Sequence, residues 1–490
     1  MKRGDLVAGI LATGLSAGCV VGPNYHRPLV QTPVAYKTES PWRVAAPKDS
    51  LPKEAWWEIY NDAELNGYEQ QLLKANQSLA AARDRLNQAR ALARVTSAGT
   101  FPTFNTDPSA ARNRYPANRP GQPTSSAPSA PLTQGDYQIP FLLSYEPDLF
   151  GKVRRSLQAS NTALQSSAAD LYNARLVLSA ELAADYFSLR ELDAELQVVQ
   201  ESVGIQQKGL QLVQSRHAGG VASGLELAQQ QTLLDATIAQ LYLVQQQRAQ
   251  YEHAIAVLTG NAASAFDVPA RPLKGEPPSV PLGVPSDLLE RRPDIASAER
   301  QMAYENALVG VATAAFYPQL TISGGDGFQS TTLSNLISAP NAIWSLGADV
   351  LQPIFEGGRN RANLEATKAA YDATVADYRQ SVLTAFQQVE DGLSGLNALS
   401  RASASQTAAV DDAQRALELA NNRYAGGVTS YLDVITAQSA LLNNRRLSTQ
   451  LLGQQLVASV YLVKALGGGW DASQIQNEQV HPKAAQTIQQ

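Results

Sequence analysis

The segments Arg216-His-Ala-Gly-Gly-Val-Ala-Ser-Gly-Leu-Glu-Leu227 and Arg423-Tyr-Ala-Gly-Gly-Val-Thr-Ser-Tyr-Leu-Asp-Val434 are near-copies, aligned without a gap. In each, a long run with an apolar stripe ends at Gly-Gly, and a serine precedes a second such run. Glycine takes the left-handed conformation that closes a helix, and Ser223 and Ser430 are placed to cap the next one. Each copy is therefore expected to be the tip of a hairpin of two long helices. Two such tips in one chain indicate an internal duplication.

The runs that feed these tips are long. From Lys152 to His217 there is no proline, and Leu182, Tyr186, Leu189, Leu192, Leu196, Val199 and Val203 recur at steps of three and four. A helix of about 60 residues would be roughly 90 Å long, more than a globular domain needs. The second long run carries Val375, Tyr378, Val382, Ala385, Val389, Leu393 and Leu396 on one stripe. Helices returning from the tips are expected over about 225–258 and 431–466. Before them, Asp62 is placed to cap a helix whose Leu65, Leu72, Leu79, Leu86 and Ala93 recur every seventh residue towards Val95.

Between the helices the period changes. Phe101-Pro-Thr-Phe104 opens an extended run to about 110, and 113–136 reads as a loop rich in Pro, Ser and Asn. Tyr137, Ile139, Phe141, Leu143 and Tyr145 then alternate with Gln138, Pro140, Leu142, Ser144 and Glu146, which is a strand pattern over about 137–147. The second half repeats it. Arg292-Pro-Asp-Ile295 starts a helix, strands are expected at about 317–327 and 343–354, and Trp344, Leu346, Ala348 and Val350 form one face of the latter. The plan is a leader over 19–60, a first repeat over 61–268, a Pro-rich link over 269–291, a second repeat over 292–468, and a polar tail over 469–490 with no core pattern.

The N-terminus explains the single cysteine. Lys2 and Arg3 precede a short apolar segment, Leu6–Leu15, and then Leu15-Ser-Ala-Gly-Cys19. That segment is too short to span a membrane and suits an export signal over 1–18. It resembles a bacterial lipobox, which implies cleavage before Cys19 and a covalent lipid on its side chain. Val20, in place of an aspartate, resembles a sorting signal for the outer membrane.

Composition removes other classes. The formal charge of −5 disfavours a nucleic-acid surface. Four scattered histidines and one cysteine supply no metal cluster, and no cofactor is expected. Beyond the N-terminus no run of 18 apolar residues marks a spanning helix. Ser323-Gly-Gly-Asp-Gly327 lacks the Gly-Lys-Ser/Thr of a phosphate loop, and Glu181 and Asp185 read as solvated carboxylates, so no enzyme is expected.

Two hairpins cannot close a barrel, and an open four-stranded sheet cannot sit in lipid with its edges unpaired. The sheet must pair with other subunits or stay out of the bilayer. Eight strands from two chains would fill their own interior, whereas twelve from three chains could leave a lumen.

Further residues make the pattern specific: Cys19-Val-Val-Gly-Pro-Asn-Tyr25 with Pro28, Trp56-Trp57, Arg292-Pro-Asp-Ile295 with Ala298-Glu299-Arg300, and Ala314-Ala-Phe-Tyr-Pro-Gln-Leu320. With the two Gly-Gly tips, they resemble the outer membrane factors of tripartite efflux systems, the TolC-like family, in its NodT/OprM lipoprotein branch. The resemblance implies an α+β membrane protein: a homotrimer whose twelve-stranded outer-membrane barrel, four strands per chain, continues as a coiled-coil periplasmic tunnel. It implies a periplasmic adaptor and an inner-membrane RND-type pump as partners, and passive conduction of small toxic compounds. Substrate choice would rest mainly with the pump, so the sequence leaves it open. The docking tips would be Arg216, His217, Gly219, Gly220 and Val221, with Arg423, Tyr424, Gly426, Gly427 and Val428. Many relatives close the periplasmic aperture with a charged pair where this chain has Thr436 and Ser439. Glu226, Tyr431 and Asp433, with Arg423, are the replacement gate candidates. Two other readings stay open, a type I protein-secretion conduit and a lipid-anchored periplasmic scaffold, although a scaffold has no use for aromatic-faced strands.

Overall fold

A computed structural model describes residues 20–28, 55–117, 130–273, 275, 277–278, 291–470 and 472–482. The export segment 1–18 and Cys19 lie outside the described residues. A short 3-10 turn at Trp56–Tyr60 leads into helices α1 (Ala63–Ala75) and α2 (Gln77–Ala98). Strands β1 (Thr103–Thr106), β2 (Ser109–Tyr115) and β3 (Leu132–Tyr145) precede α3 (Lys152–Ala218) and α4 (Gly224–Leu258). The second half runs α5 (Pro293–Ala314), β4 (Gln319–Ser330), β5 (Ala342–Leu351), α6 (Arg359–Ala425) and α7 (Tyr431–Ala465). No described helix is long and apolar enough to cross a membrane.

The helices of the two halves match in length. α2 and α5 have 22 residues each, α3 and α6 have 67, and α4 and α7 have 35. At roughly 1.5 Å per residue the long helices extend about 100 Å. Each is preceded by a left-handed glycine, Gly151 at φ 84° and Gly358 at φ 89°. That conformation turns the chain out of the sheet at little steric cost only because no Cβ is present.

The expected single helix over 62–95 is two. Asp62 caps α1, accepting from the amides of Glu64 at 2.9 Å and Leu65 at 3.3 Å. Asn76 then leaves the helical region, at ψ 123°. Its Oδ1 accepts from Leu79 N at 2.9 Å, and its Nδ2 donates to the Leu258 carbonyl at 2.9 Å. The amide thus restarts the helix and ties the break to the end of α4. The heptad residues Leu65, Leu72, Leu79, Leu86 and Ala93 remain buried across it.

The sheet is antiparallel in the order β1–β3–β4–β5, with β2 continuing the β1 edge against β3. The expected strand at 101–110 is divided at Asp107-Pro108, and the expected loop at 113–136 gives way at both ends to β2 and the start of β3. Register shows why the division falls there. Thr106 pairs with Phe141 and Ser109 with Gln138, so the gap lies beside Ile139-Pro140. Neither Pro108 nor Pro140 has an amide to give a ladder. The missed extension, Ser109–Tyr115, is solvent-exposed over most of its length, so it shows no apolar alternation. Neither edge of the sheet, β1/β2 or β5, has a partner strand among the described residues.

Where the helices meet below the sheet, apolar residues of α1, α3, α6 and α7 form the main core with Trp56 and Trp57. A charged network borders it. Arg190 bonds Glu64 at 2.5 Å and Asp193 at 2.7 Å, Arg248 reaches Asp193 at 2.6 Å, and Arg190 donates to the Pro269 carbonyl at 2.8 Å. The C-terminal segment is also more structured than its composition suggests. Trp470 and Ile475 bury against α2 and α3, and Glu478 pairs with Arg90 at 2.6 Å.

Candidate functional site: tips, sheet faces and leader

Both tips close by one hydrogen-bond pattern. Gly220 stands at φ 77° and Gly427 at φ 71°, whereas Gly219 and Gly426 keep negative φ. Val221 N donates to Arg216 O at 2.8 Å and Gly220 N to His217 O at 2.9 Å. Val428 N and Gly427 N bond Arg423 O and Tyr424 O at 2.9 and 3.0 Å. This is the paired closure of a left-handed helix end. His217 Nδ1 lies 2.8 Å from Ala222 O and braces the first tip. Ser223 caps α4 through its hydroxyl, accepting from Glu226 N at 3.2 Å. Ser430 makes no such side-chain bond, and the Thr429 hydroxyl instead donates to Asp433.

The two tips are joined across hairpins, which the sequence did not indicate. The Arg216 guanidinium stacks 4.6 Å above the Tyr424 ring, and Tyr424 lies 4.9 Å from Tyr431. Tyr431 is 2% exposed, and a Cβ at Gly209 would meet its hydroxyl at 2.6 Å. Its phenol is pushed up to about 12, first by burial and then by Tyr424 and Glu226. Among the gate candidates, then, Tyr431 is packing between hairpins within one chain. Asp433 and Arg423 are exposed and Glu226 is half-buried. The hydroxyls of Thr436 and Ser439 each donate to the carbonyl four residues back, at 2.9 Å. They offer no charge at that turn. Val221, Leu225, Val428 and Leu432 are exposed apolar residues around the tips.

At the other end, register sorts the sheet into two faces. Phe104, Phe141, Leu143, Tyr145, Leu320, Ile322, Trp344, Leu346 and Val350 share one, through pairs such as Phe104↔Leu143, Leu143↔Gly324, Gly324↔Leu346 and Leu320↔Val350. Asp326, opposite Phe141 and Trp344, is a charged member of that face, and the other carries Asn105, Gln138, Ser144, Ser323, Thr321, Ser345 and Asp349 together with Leu142, Ile343 and Leu351. Trp344 is 81% exposed and Leu346 75%. An exposed face so rich in apolar side chains marks contact with lipid or protein.

The described leader, 20–28, is held in a groove of the helices. Val21 N bonds Phe150 O at 3.1 Å. Arg155 donates to the carbonyls of Val21 and Gly22 at 3.3 and 3.2 Å and to Asn24 Oδ1 at 3.0 Å. Gly22 at φ 90° is needed here, because a Cβ would lie 2.5 Å from the Gly310 Cα. Val20, the residue after Cys19, packs on Gly151 at the foot of the sheet.

Two acids expected to be solvated divide. Glu181 is exposed, but Asp185 is pushed up to about 6 by burial and by Glu181. Glu191, on the same helix, rises to about 7 through burial and the neighbouring Glu195.

Known proteins share this architecture and sequence. Outer-membrane channel OprN superposes with a TM-score of 0.85 at 29% identity, covering 92% of this chain and 100% of its own. The CmeC outer membrane channel of Campylobacter jejuni gives 0.86 at 25% identity, covering 94% and 99%. Outer membrane protein OprJ of Pseudomonas aeruginosa is 31% identical over 477 residues, 96% of this chain and 97% of OprJ. The toluene efflux pump outer membrane protein TtgI of Pseudomonas putida is 33% identical over 474 residues, 93% and 97% of the two chains. Residues 69–261 and 284–468 match the outer membrane efflux protein family, and the chain belongs to that family, as an outer membrane factor of RND efflux systems.

Proposed function

We propose that this chain is the exit duct of a tripartite efflux pump, conducting small toxic compounds passively from a periplasmic adaptor and an RND-type inner-membrane pump to the exterior. The observation that carries this is a two-faced open sheet continuous with helical hairpins whose longer arms run about 100 Å. The sheet has a mainly apolar face for lipid, a more polar face for a lumen, and two edges in need of partners. Three copies would pair those edges into a barrel of twelve strands wide enough for a lumen. The hairpins would then form the tunnel, with the Gly-Gly tips at its far end to dock the adaptor or pump. Matching helix lengths support an internal duplication.

Cys19 is the lipid site in this reading. Val20 sits where strand β3 gives way to helix α3, so an acyl chain on the preceding residue would start at the edge of the apolar band. Two relatives are named for toluene efflux and pyoverdine export. That breadth is consistent with a pump that selects and a duct that does not. No step of the proposed transport needs a catalytic group or cofactor.

The test is accumulation of a fluorescent pump substrate in cells with the partner pump present. Deleting this gene should raise accumulation, and restoring it should reverse the effect. Equal accumulation, with the protein present in the outer membrane and no second duct expressed, would contradict the proposal.

A further inference from the structure

Strand β2, which hydrophobic pattern does not reveal, brings positive charge to one face of the sheet. Ala110 pairs with Tyr137, Arg112 with Gly135 and Arg114 with Thr133. Residues directly opposite in an antiparallel ladder share a face, so both arginines lie on the side of Phe141 and Leu143. On β3 that face is apolar from Tyr145 through Leu143, Phe141 and Ile139 to Tyr137. That stretch, at about 3.3 Å per residue and a tilt of roughly 35–45°, rises about 20–25 Å. This is close to the height of the apolar band of a membrane barrel. Arg112 and Arg114 are the next side chains on this face beyond Tyr137, at the end of the sheet away from the long helices.

Both arginines are exposed, and neither has an ion pair or hydrogen bond among the described residues. The acids of the sheet are out of reach. Asp136 lies on the opposite face and accepts from Gln138 at 3.1 Å and from Gln329 at 2.9 Å. Asp326 shares the arginines' face but stands opposite Phe141, about 20 Å along the strand from Gly135. Asp107, in the gap before β2, is about 17 Å along the chain from Arg112. The described residues therefore supply no counter-charge where the apolar band ends. An aromatic ring marks that border. The Tyr137 ring leans over Gly135, where a Cβ would meet its Cε2 at 2.6 Å. Aromatic rings at the edge of a barrel's apolar band lie at the level of the lipid headgroups.

The planar fork of arginine binds phosphate oxygens two at a time. Side chains two residues apart on a strand stand about 6.7 Å from each other, so two forks can grip one phosphate or neighbouring phosphates of one headgroup. We infer that Arg112 and Arg114, beside Tyr137, bind the phosphate-bearing headgroup of an outer-leaflet lipid and so hold the barrel at a fixed depth. The inference rests on the duct reading, which gives the mainly apolar face to lipid and the end of the sheet away from the helices to the exterior.

The experiment is native mass spectrometry of the purified full-length protein in detergent, titrated with diphosphorylated lipid A or with its dephosphorylated form. The unaltered protein should bind the diphosphorylated lipid about tenfold more tightly. Arg112→Gln/Arg114→Gln should lose that margin. Arg361→Gln/Arg415→Gln, which removes the same charge from exposed positions of α6, should keep it. Millimolar inorganic phosphate should not displace the lipid. Equal binding of the two lipids by the unaltered protein would overturn the inference, and this comparison decides the matter if the Arg112/Arg114 variant fails to assemble. An unchanged preference in that variant would overturn it too, and displacement by inorganic phosphate would assign the arginines to a soluble anion instead. The same spectra count the chains. A trimer that does not discriminate between the lipids removes the headgroup site alone, whereas a protein that forms no oligomer removes the duct reading with it.

Discussion

At the tips the demand on each glycine differs. Gly427 stands at φ 71° with open space around the position of its absent Cβ, while Gly426 has φ −77°. Gly427→Ala should therefore cost about 1–2 kcal/mol through backbone strain alone, and Gly426→Ala far less. Thermal midpoints of the two variants check this, and equal loss would mean that crowding rather than φ selects glycine. Asp433 is exposed beside the second tip, so Asp433→Arg should raise single-channel conductance if it helps to hold the aperture. Unchanged conductance would remove it from the gate. Glu191 is one source of pH dependence. Its carboxyl is raised from the ordinary 4.5 to about 7, chiefly by burial. The folded state therefore holds this proton more tightly than the unfolded chain, and stability falls as pH rises through that interval. Glu191→Gln should lessen the fall in stability between pH 5 and 8 by on the order of 2–3 kcal/mol. A variant that keeps the wild-type slope would place the dependence elsewhere, for instance on Asp185. The glycines were legible from sequence because turn geometry leaves few alternatives. The Arg216–Tyr424 stack and the raised acids were not, because they depend on which faces of separate helices meet.

Among the elements, the long helices were the clearest in the sequence, since a proline-free run of more than sixty residues carries a stripe at steps of three and four. The break at Asn76 was hidden because the heptad residues keep their phase across it, and only the amide's bonds to Leu79 and Leu258 reveal it. Strand β2 was hidden for a different reason. Its residues are mostly solvated, so pairing with β3 leaves no mark on hydrophobic pattern. Where one face is apolar, the pattern was plain, and substitutions should respect it. Leu346→Lys places a charge on the apolar face and should cost about 2–4 kcal/mol if that residue sits near the bilayer midplane. Ser345→Lys, on the other face, should be tolerated. The yield of assembled protein in outer-membrane fractions separates them, and equal yields would contradict the assignment of lipid and lumen faces.

For the whole molecule, the helices, sheet and leader form one chain that lacks closure. Its core lies where the helices gather below the sheet, and the charged network around Arg190 and Asp193 fastens the first repeat to the segment that follows α4. The sheet edges have no partner strand among the described residues. A membrane tolerates no open edge, so in the proposed duct further copies of the chain supply the neighbours. Sequence alone reached this need for partners, because two hairpins are too few for a barrel. Native mass spectrometry of the protein extracted from outer membranes tests the claim most directly. The account predicts three chains, each beginning at a lipid-bearing Cys19. A stable species of one or two chains at the membrane, or of more than three, would contradict it.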